Sequence, residues 1–557
     1  MKNETTWDTR GTHSGPLRDL AVLVIFFGIV LCFQYVSGSW RDEFGGYDDE
    51  PAHYVTGLMV HDYLVARHRQ APVLFAESYY IHYPKVAIGH WPPVLYVLEA
   101  LWTLLFPSSR FSLMIFIAVP TSLLAYSLYR FLRSDYGDEL GVAAGLILIA
   151  LPITQLYSGM IMAEMPLTLF SFSAAVCFAN FLQNEDWKNA TGFGIFAALA
   201  ILTKGSGFAL ALVPPLAVVF SARVRVMARF RFWLPALIVS LLCLPWYWAT
   251  RGMLQSTWAQ SYPSFKYSLG AFHFYARSFV SALGLGLSAL SVLGVIIAAV
   301  VPIFRGAANP KWATLLAFIL AFGTMACLVP AGLESRFLIP LLPAFLAFVA
   351  PATKSIFDRF SFPSKRQFAS LLPISLFVIG GFSLSRKTSF GYGEAAKFFV
   401  ANYRPDQPIL VASDTLGEGM MISEIALHDQ RPRPTHYVLR ASKLLADVNW
   451  TASEYRLVYQ SPEQIMEFLS ATSIPLVALD ESVRPEQLSA HQKLLSETIT
   501  TYPKSWKVVQ EFAVVRDGIL FPHGLRIYSL TGPVSTRRIP IEINLQRMLG
   551  KTLELRP

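Results

Sequence analysis

Charge is scarce in this chain: only 15% of its 557 residues are Asp, Glu, Lys or Arg, while 54% are hydrophobic. With a mean hydropathy of +0.43, that deficit excludes an ordinary soluble enzyme of this length, because a water-facing surface needs more polar side chains than the chain supplies. Cysteine is scarce too. Cys32, Cys177, Cys243 and Cys327 all fall inside apolar runs, where they read as small buried hydrophobes, and they offer no disulfide or metal framework. No dinucleotide fingerprint or phosphate-binding loop opens any helix. No convincing small-residue cleavage site follows the first apolar stretch, so Leu20 to about Val36 reads as an uncleaved helix behind Lys2, Arg10 and Arg18. Paired halves with broken helices, the mark of many transporters, are also missing.

What is present is a succession of apolar runs up to about Leu384, then an ordinary mixture of polar and alternating apolar residues from Arg386 onward. The fold class expected is a polytopic α-helical membrane protein with a C-terminal soluble α/β domain. The division falls between 1–386 and 387–557. About eleven spans are expected, over 20–38, 111–131, 139–157, 162–182, 190–204, 206–220, 232–250, 280–304, 312–330, 336–352 and 368–385. The stretch 91–107 is ambiguous. If it does not cross, Arg130 with Arg133, Arg223 to Arg231, Arg305 with Lys311, and Lys354 to Arg366 all fall on the cytoplasmic side. If it crosses and 190–220 is one span, Arg130 and Arg133 fall outside. The first arrangement is preferred, with Pro92 and Pro93 favouring a re-entrant or interfacial segment.

This topology puts the N-terminus in the cytoplasm and the C-terminal domain outside it, in a multi-pass protein of the cytoplasmic (inner) membrane. The net charge of +9 is dispersed in short clusters between apolar runs, which reads as topology and gives no reason to expect a nucleic-acid partner. The outer side receives the loop 39–90, with Asp42, Glu43, Asp48, Asp49 and Glu50, and the turns around Glu164, Lys204 and Arg336. Crowded carboxylates near a membrane surface repel one another, and ionisable residues interrupting apolar runs mark functional sites. A solvated acidic loop and snorkelling anchors would look the same taken singly.

Taken in order, these segments resemble the multi-span glycosyltransferases that use lipid-linked sugars: the protein O-mannosyltransferases and the bacterial transferase that adds aminoarabinose to lipid A, of the GT-C type. The resemblance rests on Asp49, Glu50 and Tyr54 in the first outer loop, then Trp91, Pro92, Pro93 and Tyr96. It continues through Glu164, Pro166 and Leu167; Thr203, Lys204 and Gly205; Pro245, Trp246 and Tyr247; and Glu334, Ser335 and Arg336 before LIPLLP. It covers about residues 20 to 350. Glu164 stands where relatives usually carry aspartate, and His90 with Trp91 replaces the lysine that often precedes the proline pair.

The resemblance implies an inverting glycosyltransferase moving a sugar from a polyprenyl-phosphate donor, a membrane lipid, to an envelope acceptor: glycolipid, polysaccharide or protein. Asp49 is then the candidate base. Glu50, Tyr54, His90, Glu164, Lys204, Glu334 and Arg336 are candidate substrate-binding residues, with Arg336 and Lys204 facing the departing phosphate. No cofactor is required. A divalent ion is conceivable, but His53, His61, His68, His82 and His90 match no ligand spacing. A flippase of lipid-linked glycans and a non-catalytic envelope scaffold are the alternatives. In the C-terminal domain, PILVASD reads as a buried strand, TLGEGMMISEIAL as turn and helix, SPEQIMEFLSATSIPLVALD as helix and strand, and LRIYSL as a further strand. Gly417 and Gly419 suit a flexible loop better than a nucleotide site. An acceptor-binding or scaffolding module is expected there.

Overall fold

The computed structural model describes residues 15–66, 70–254, 262–360, 365–448, 455–472, 474–531, 539–545 and 550–555. Lys2, Arg10 and His68 lie outside the described residues. Seven described helices are long and apolar enough to cross a membrane: Pro16–Ser37, Arg110–Tyr136, Glu164–Asn184, Phe230–Ala249, Leu285–Phe304, Pro310–Leu328 and Ser335–Phe357. An eighth arises if Asp138–Ala150 and Pro152–Ser158, bent by 66°, form one span. Pro152 sits at the bend, where its missing N–H and its ring disfavour continuation of the helix. Shorter apolar helices occupy Val94–Leu105, Gly205–Phe220 and Gln367–Gly380.

The helix ends separate by charge. At one end Arg18 pairs with Asp138 at 3.1 Å, Arg130 and Arg133 with Asp19 at 2.6 and 2.5 Å, and Lys311 with Asp135 at 2.7 Å. At the other end lie the segments that carry Asp49, Glu164, Lys204 and Arg336. The helix Val94–Leu105 stays at this second end: Tyr96 near its start bonds His53, and Trp102 near its finish donates to Ser112, at the head of the Arg110–Tyr136 span. A further helix, Phe265–Leu283, was not foreseen. Tyr267 and Tyr275 on it both donate to the Gly332 carbonyl. Its polar and apolar positions are interleaved, so no long apolar run announces it in the sequence.

The expected outer loop 39–90 is largely helical, with Glu50–Val65 and Pro72–His82. Both open on a proline in the first turn, where the absent N–H is unneeded. Against this segment packs the C-terminal domain, built on a five-stranded sheet in the order Val438–Arg440, Ile409–Ala412, Leu476–Asp480, Ile519–Leu530, Trp506–Arg516. The first three strands are parallel and the last two antiparallel. ILVA and LVALD are buried at every position, as central strands covered on both faces must be. The strands and helices expected from PILVASD, TLGEGMMISEIAL, SPEQIMEFLSATSIPLVALD and LRIYSL are all present, but TLGEGMMISEIAL is helical from Thr415 on, so Gly417 and Gly419 lie buried in that helix and not in a flexible loop. The long partner strand Trp506–Arg516, whose burial is irregular, was not foreseen.

Docking of this domain consumes much of the acidic cluster. Glu43 accepts the backbone N–H groups of Gly391 and Gly393, both at 2.8 Å, and Asp42 accepts that of Ser389 at 3.3 Å. Arg110 reaches Glu424 at 3.1 Å, Arg431 reaches Asp62 at 3.1 Å, and Tyr83 donates to Asp429 at 2.6 Å. These buried polar contacts tie the two parts together, although Arg110 and Glu424 meet as a charge pair without a hydrogen bond.

Candidate active site

A cavity of about 500 Å³ opens between the membrane-side helices and the C-terminal domain. Its charged floor is assembled from helix ends. Asp49 lies at the N-cap of Glu50–Val65, and Glu164 is the first residue of Glu164–Asn184, an N-terminal position that favours a carboxylate. Lys204 sits in extended backbone where Trp187–Thr203 stops and a 3₁₀ turn begins. Gly207 makes that break possible, because a Cβ there would lie 2.6 Å from the Ala200 carbonyl carbon. Glu334 and Arg336 flank the start of another 3₁₀ turn, Ser335–Leu341.

These side chains form one network. Arg336 Nη1 donates to Asp49 Oδ2 at 3.0 Å and lies 3.7 Å from Glu164 Oε1. Arg336 Nε is 2.8 Å from Glu334 Oε2, and Nη2 donates to Glu334 Oε1 at 3.1 Å. Lys204 Nζ donates to Glu164 at 2.5 Å. Tyr47 donates to Glu334 at 2.5 Å, and its ring lies 4.5 Å beneath the Arg336 guanidinium, a cation–π arrangement. The Glu164 side chain is 2% exposed, whereas that of Asp49 is 29% exposed and opens on the cavity. Segments far apart in sequence thus bring Asp49, Glu164, Lys204, Glu334 and Arg336 together.

Helix phase decides which first-loop residues take part. His53, one turn after Asp49, also lines the cavity, bonds Tyr96 at 2.8 Å and stacks on Trp91 at 4.3 Å. Burial holds its pKa down to about 4, so it is neutral at physiological pH. His90 lines the cavity as well. Glu50, Tyr54 and Glu164, read from the sequence as substrate-binding, do not line it; Glu164 is buried against Lys204 and Arg336. Glu50 turns into the packing beside Lys387, accepting the N–H groups of Gly46 and Ile161 at 3.0 Å each. Burial pushes its pKa up to about 7, against the pull of Lys387. Tyr54 stacks on Phe44 and donates to the Ser108 carbonyl at 3.2 Å.

No local pattern of residues announced the other wall. Thr415, Arg440, Ser442 and Lys443 of the C-terminal domain face the cavity together with Tyr47, Asp48 and Lys85 of the first outer segment. The adjacent positions Asp48 and Asp49 were visible as acidic, but nothing local marked Arg440 or Lys443. Among the described residues, no three His, Cys, Asp or Glu side chains gather as a metal site needs. Asp49, Glu164 and Glu334 are each engaged by Arg336, and Glu164 by Lys204 as well.

Residues 90–248 match the family model described as dolichyl-phosphate-mannose-protein mannosyltransferase. No curated protein matches the chain by sequence. Among solved structures, ArnT from Cupriavidus metallidurans bound to undecaprenyl phosphate is similar with a TM-score of 0.56 at 12% identity, over 93% of this chain and 99% of that one. The Archaeoglobus fulgidus oligosaccharyltransferase, tethered with an acceptor peptide, is similar with a TM-score of 0.55 at 14% identity, over 93% of this chain and 74% of that one. At such identities the likeness speaks to the fold, which runs through both the helical part and the C-terminal domain. Taken with the matched segment, which holds Glu164 and Lys204, it gives a multi-pass membrane protein whose fold is similar to that of ArnT and the archaeal oligosaccharyltransferase, with one stretch similar to the mannosyltransferase family model.

Proposed function

We propose that the protein transfers a sugar from a polyprenyl-phosphate donor to an envelope acceptor, with inversion, at the outer face of the cytoplasmic membrane. The observation that carries the reading is the convergence of Asp49, Lys204 and Arg336 on one cavity. In the proposed step Asp49 takes the proton of the acceptor hydroxyl as its oxygen attacks the anomeric carbon. The bond from that carbon to the phosphate oxygen breaks, and the lipid phosphate departs with the electron pair. Arg336 and Lys204 offset the charge that develops on it. A single carboxylate acting as base leaves no covalent sugar intermediate, which is why inversion follows.

Glu164 holds Lys204 and Arg336 in place, while Tyr47 and Glu334 fix the plane of the guanidinium. The reading assigns no cofactor, because the two cations occupy the electrostatic role. Undecaprenyl phosphate bound to ArnT and dolichol-phosphate bound to the archaeal AglB, which has a TM-score of 0.50 to this chain, support a lipid-phosphate donor here. The gathering of Arg18, Arg130, Arg133 and Lys311 at the opposite end of the helices supports a cytoplasmic N-terminus and an outer C-terminal domain. That orientation takes eleven crossings, which requires the shorter helices Trp187–Thr203, Gly205–Phe220 and Gln367–Gly380 to cross beside the seven long ones and the bent pair, with Val94–Leu105 returning to the side it left. In the test, membranes containing Asp49→Asn are supplied with radiolabelled polyprenyl-phosphate sugar. Loss of transfer at normal expression is expected, and undiminished transfer removes Asp49 as the base.

A further inference from the structure

The cavity has a second cationic wall that the transfer step leaves unused. Five cationic side chains line the cavity, Lys85, Lys204, Arg336, Arg440 and Lys443, against three carboxylates, Asp48, Asp49 and Glu334. Lys204 and Arg336 are engaged on the floor by Asp49, Glu164 and Glu334. The other three belong to the roof, where Asp48 is the one carboxylate lining the cavity among the described residues and Glu418 pairs with Arg440.

The roof stands where parallel strands end. Val438–Arg440 runs directly into Ser442 and Lys443, and Ile409–Ala412 leads through Asp414 into the 14-residue helix Thr415–His428. In open α/β sheets ligands lie outside the carboxyl ends of the parallel strands. Here those ends face the cavity that also holds the proposed base. The helix opens at Thr415, which lines the cavity, and Asp414 caps its first turn by accepting the Gly417 N–H at 2.8 Å. Arg440 is held by Nε to Glu418 at 2.7 Å and by Nη1 to the Pro84 carbonyl at 3.4 Å. Glu418 also accepts the backbone N–H of Ser442 at 2.9 Å. Lys85 Nζ spans the two parts, donating to the Thr415 carbonyl at 3.2 Å, and an ammonium has three protons to give. Burial and the nearby Arg440 press the Lys85 pKa down to about 8, a penalty that an arriving anion relieves.

We infer that this roof is an acceptor subsite for an anionic group, a phosphate or a carboxylate, carried on the acceptor beside the hydroxyl that Asp49 deprotonates. The inference rests on the proposed transfer reaction and adds to it the chemical class of the acceptor. The floor takes the donor's phosphate and the roof takes the acceptor's anion, so the two negative groups enter from opposite sides of the cavity with the reacting sugar between them.

Two measurements test this, and they fail separately. In the first, the purified full-length protein in lipid nanodiscs is saturated with polyprenyl phosphate to occupy the Lys204 and Arg336 side, and inorganic phosphate is titrated by calorimetry. The wild type is expected to bind phosphate, and the double variant Lys85→Gln/Lys443→Gln to bind it at least about tenfold more weakly. Equal affinity, or no binding by either protein, overturns the subsite whatever the enzyme transfers.

In the second, extracted envelope glycolipids and glycans serve as acceptors before and after dephosphorylation or carboxyl reduction. The double variant is expected to raise the acceptor KM about tenfold with the donor KM unchanged. One of the two treatments should bring the wild type to the same level, which names the anion. A donor KM that rises equally, or a wild type indifferent to both treatments, overturns the subsite. If the wild type transfers nothing from a polyprenyl-phosphate donor, the proposed reaction fails, and the phosphate titration still decides the roof.

Discussion

The pair Glu164 and Lys204 allows structural and chemical roles to be pulled apart. Lys204→Met leaves Glu164, whose side chain is 2% exposed, with Arg336 at 3.7 Å as its remaining cation. Stranding one partner of a buried ion pair costs about 3–5 kcal/mol, and the Arg336 contact puts this case near 3. Glu164→Gln strands an ammonium whose side chain is 23% exposed and can turn to cavity water, so its cost is smaller, about 1.5 kcal/mol. The double variant has no stranded charge at this pair. Its destabilisation should therefore fall about 2 kcal/mol short of the sum of the singles, a coupling typical of groups in contact. Transfer activity should not follow stability. Without Lys204 one source of compensation for the departing phosphate is gone, a loss of about 10²–10³ in rate in both the single and the double variant. Unfolding in mixed micelles gives the stabilities, and transfer of radiolabelled sugar gives the rates. A double variant that recovers transfer together with stability would show that the pair only holds the fold, and the assignment of Lys204 to the leaving phosphate would be wrong.

Other perturbations probe separate parts of the argument. Tyr47→Phe keeps the ring under Arg336 and removes the bond to Glu334; steady-state transfer should fall about tenfold, the cost of one charge-assisted hydrogen bond of about 1.5 kcal/mol, and Tyr47→Ala should fall further. Gly294→Ala places a Cβ 1.7 Å from the Phe348 carbonyl oxygen, a backbone atom that cannot swing aside; thermal unfolding should show at least about 2 kcal/mol of destabilisation from this helix contact.

The docking of the C-terminal domain should also depend on pH. Burial first, and the negative Glu43 beside it, push the Glu424 pKa from 4.5 up to about 8 against the pull of Arg110. The fold therefore holds this proton more tightly than the unfolded chain does. Its contribution is fully present below pH 4.5 and is lost as pH rises through about 8. Melting temperatures of the wild type should fall across that window relative to Glu424→Gln, and parallel curves would refute the assignment.

Much of the site was legible because a charge inside an apolar run is a local signal. Glu164, Lys204 and Arg336 each stand out against their neighbours whatever the rest of the chain does. The first outer segment was read less well, since five carboxylates within nine residues look alike in a sequence. The helix Glu50–Val65 separates them. Successive positions on a helix are turned by about 100°, so neighbours face different ways while residues four apart share a face. Asp49 and His53 thus meet the cavity, and Glu50 and Tyr54 meet the packing behind it. The same spacing, applied once the helix is known, picks out His53, which was weighed in the sequence only as a doubtful metal ligand.

What the sequence by itself determined is the solvent of each segment: lipid for the runs before about Leu384 and water for the domain after Arg386, with charges biased to one set of helix ends. Lipid imposes this segment by segment, because each spanning stretch must satisfy its own backbone and hide few charges, so composition alone reveals it. Which carboxylate faces the cavity, which ones anchor the C-terminal domain, and that Arg440 and Lys443 complete a wall opposite Arg336 were decided only by tertiary structure. Those contacts join residues hundreds of positions apart, and they depend on helix phase and domain docking, which no local pattern of residues records.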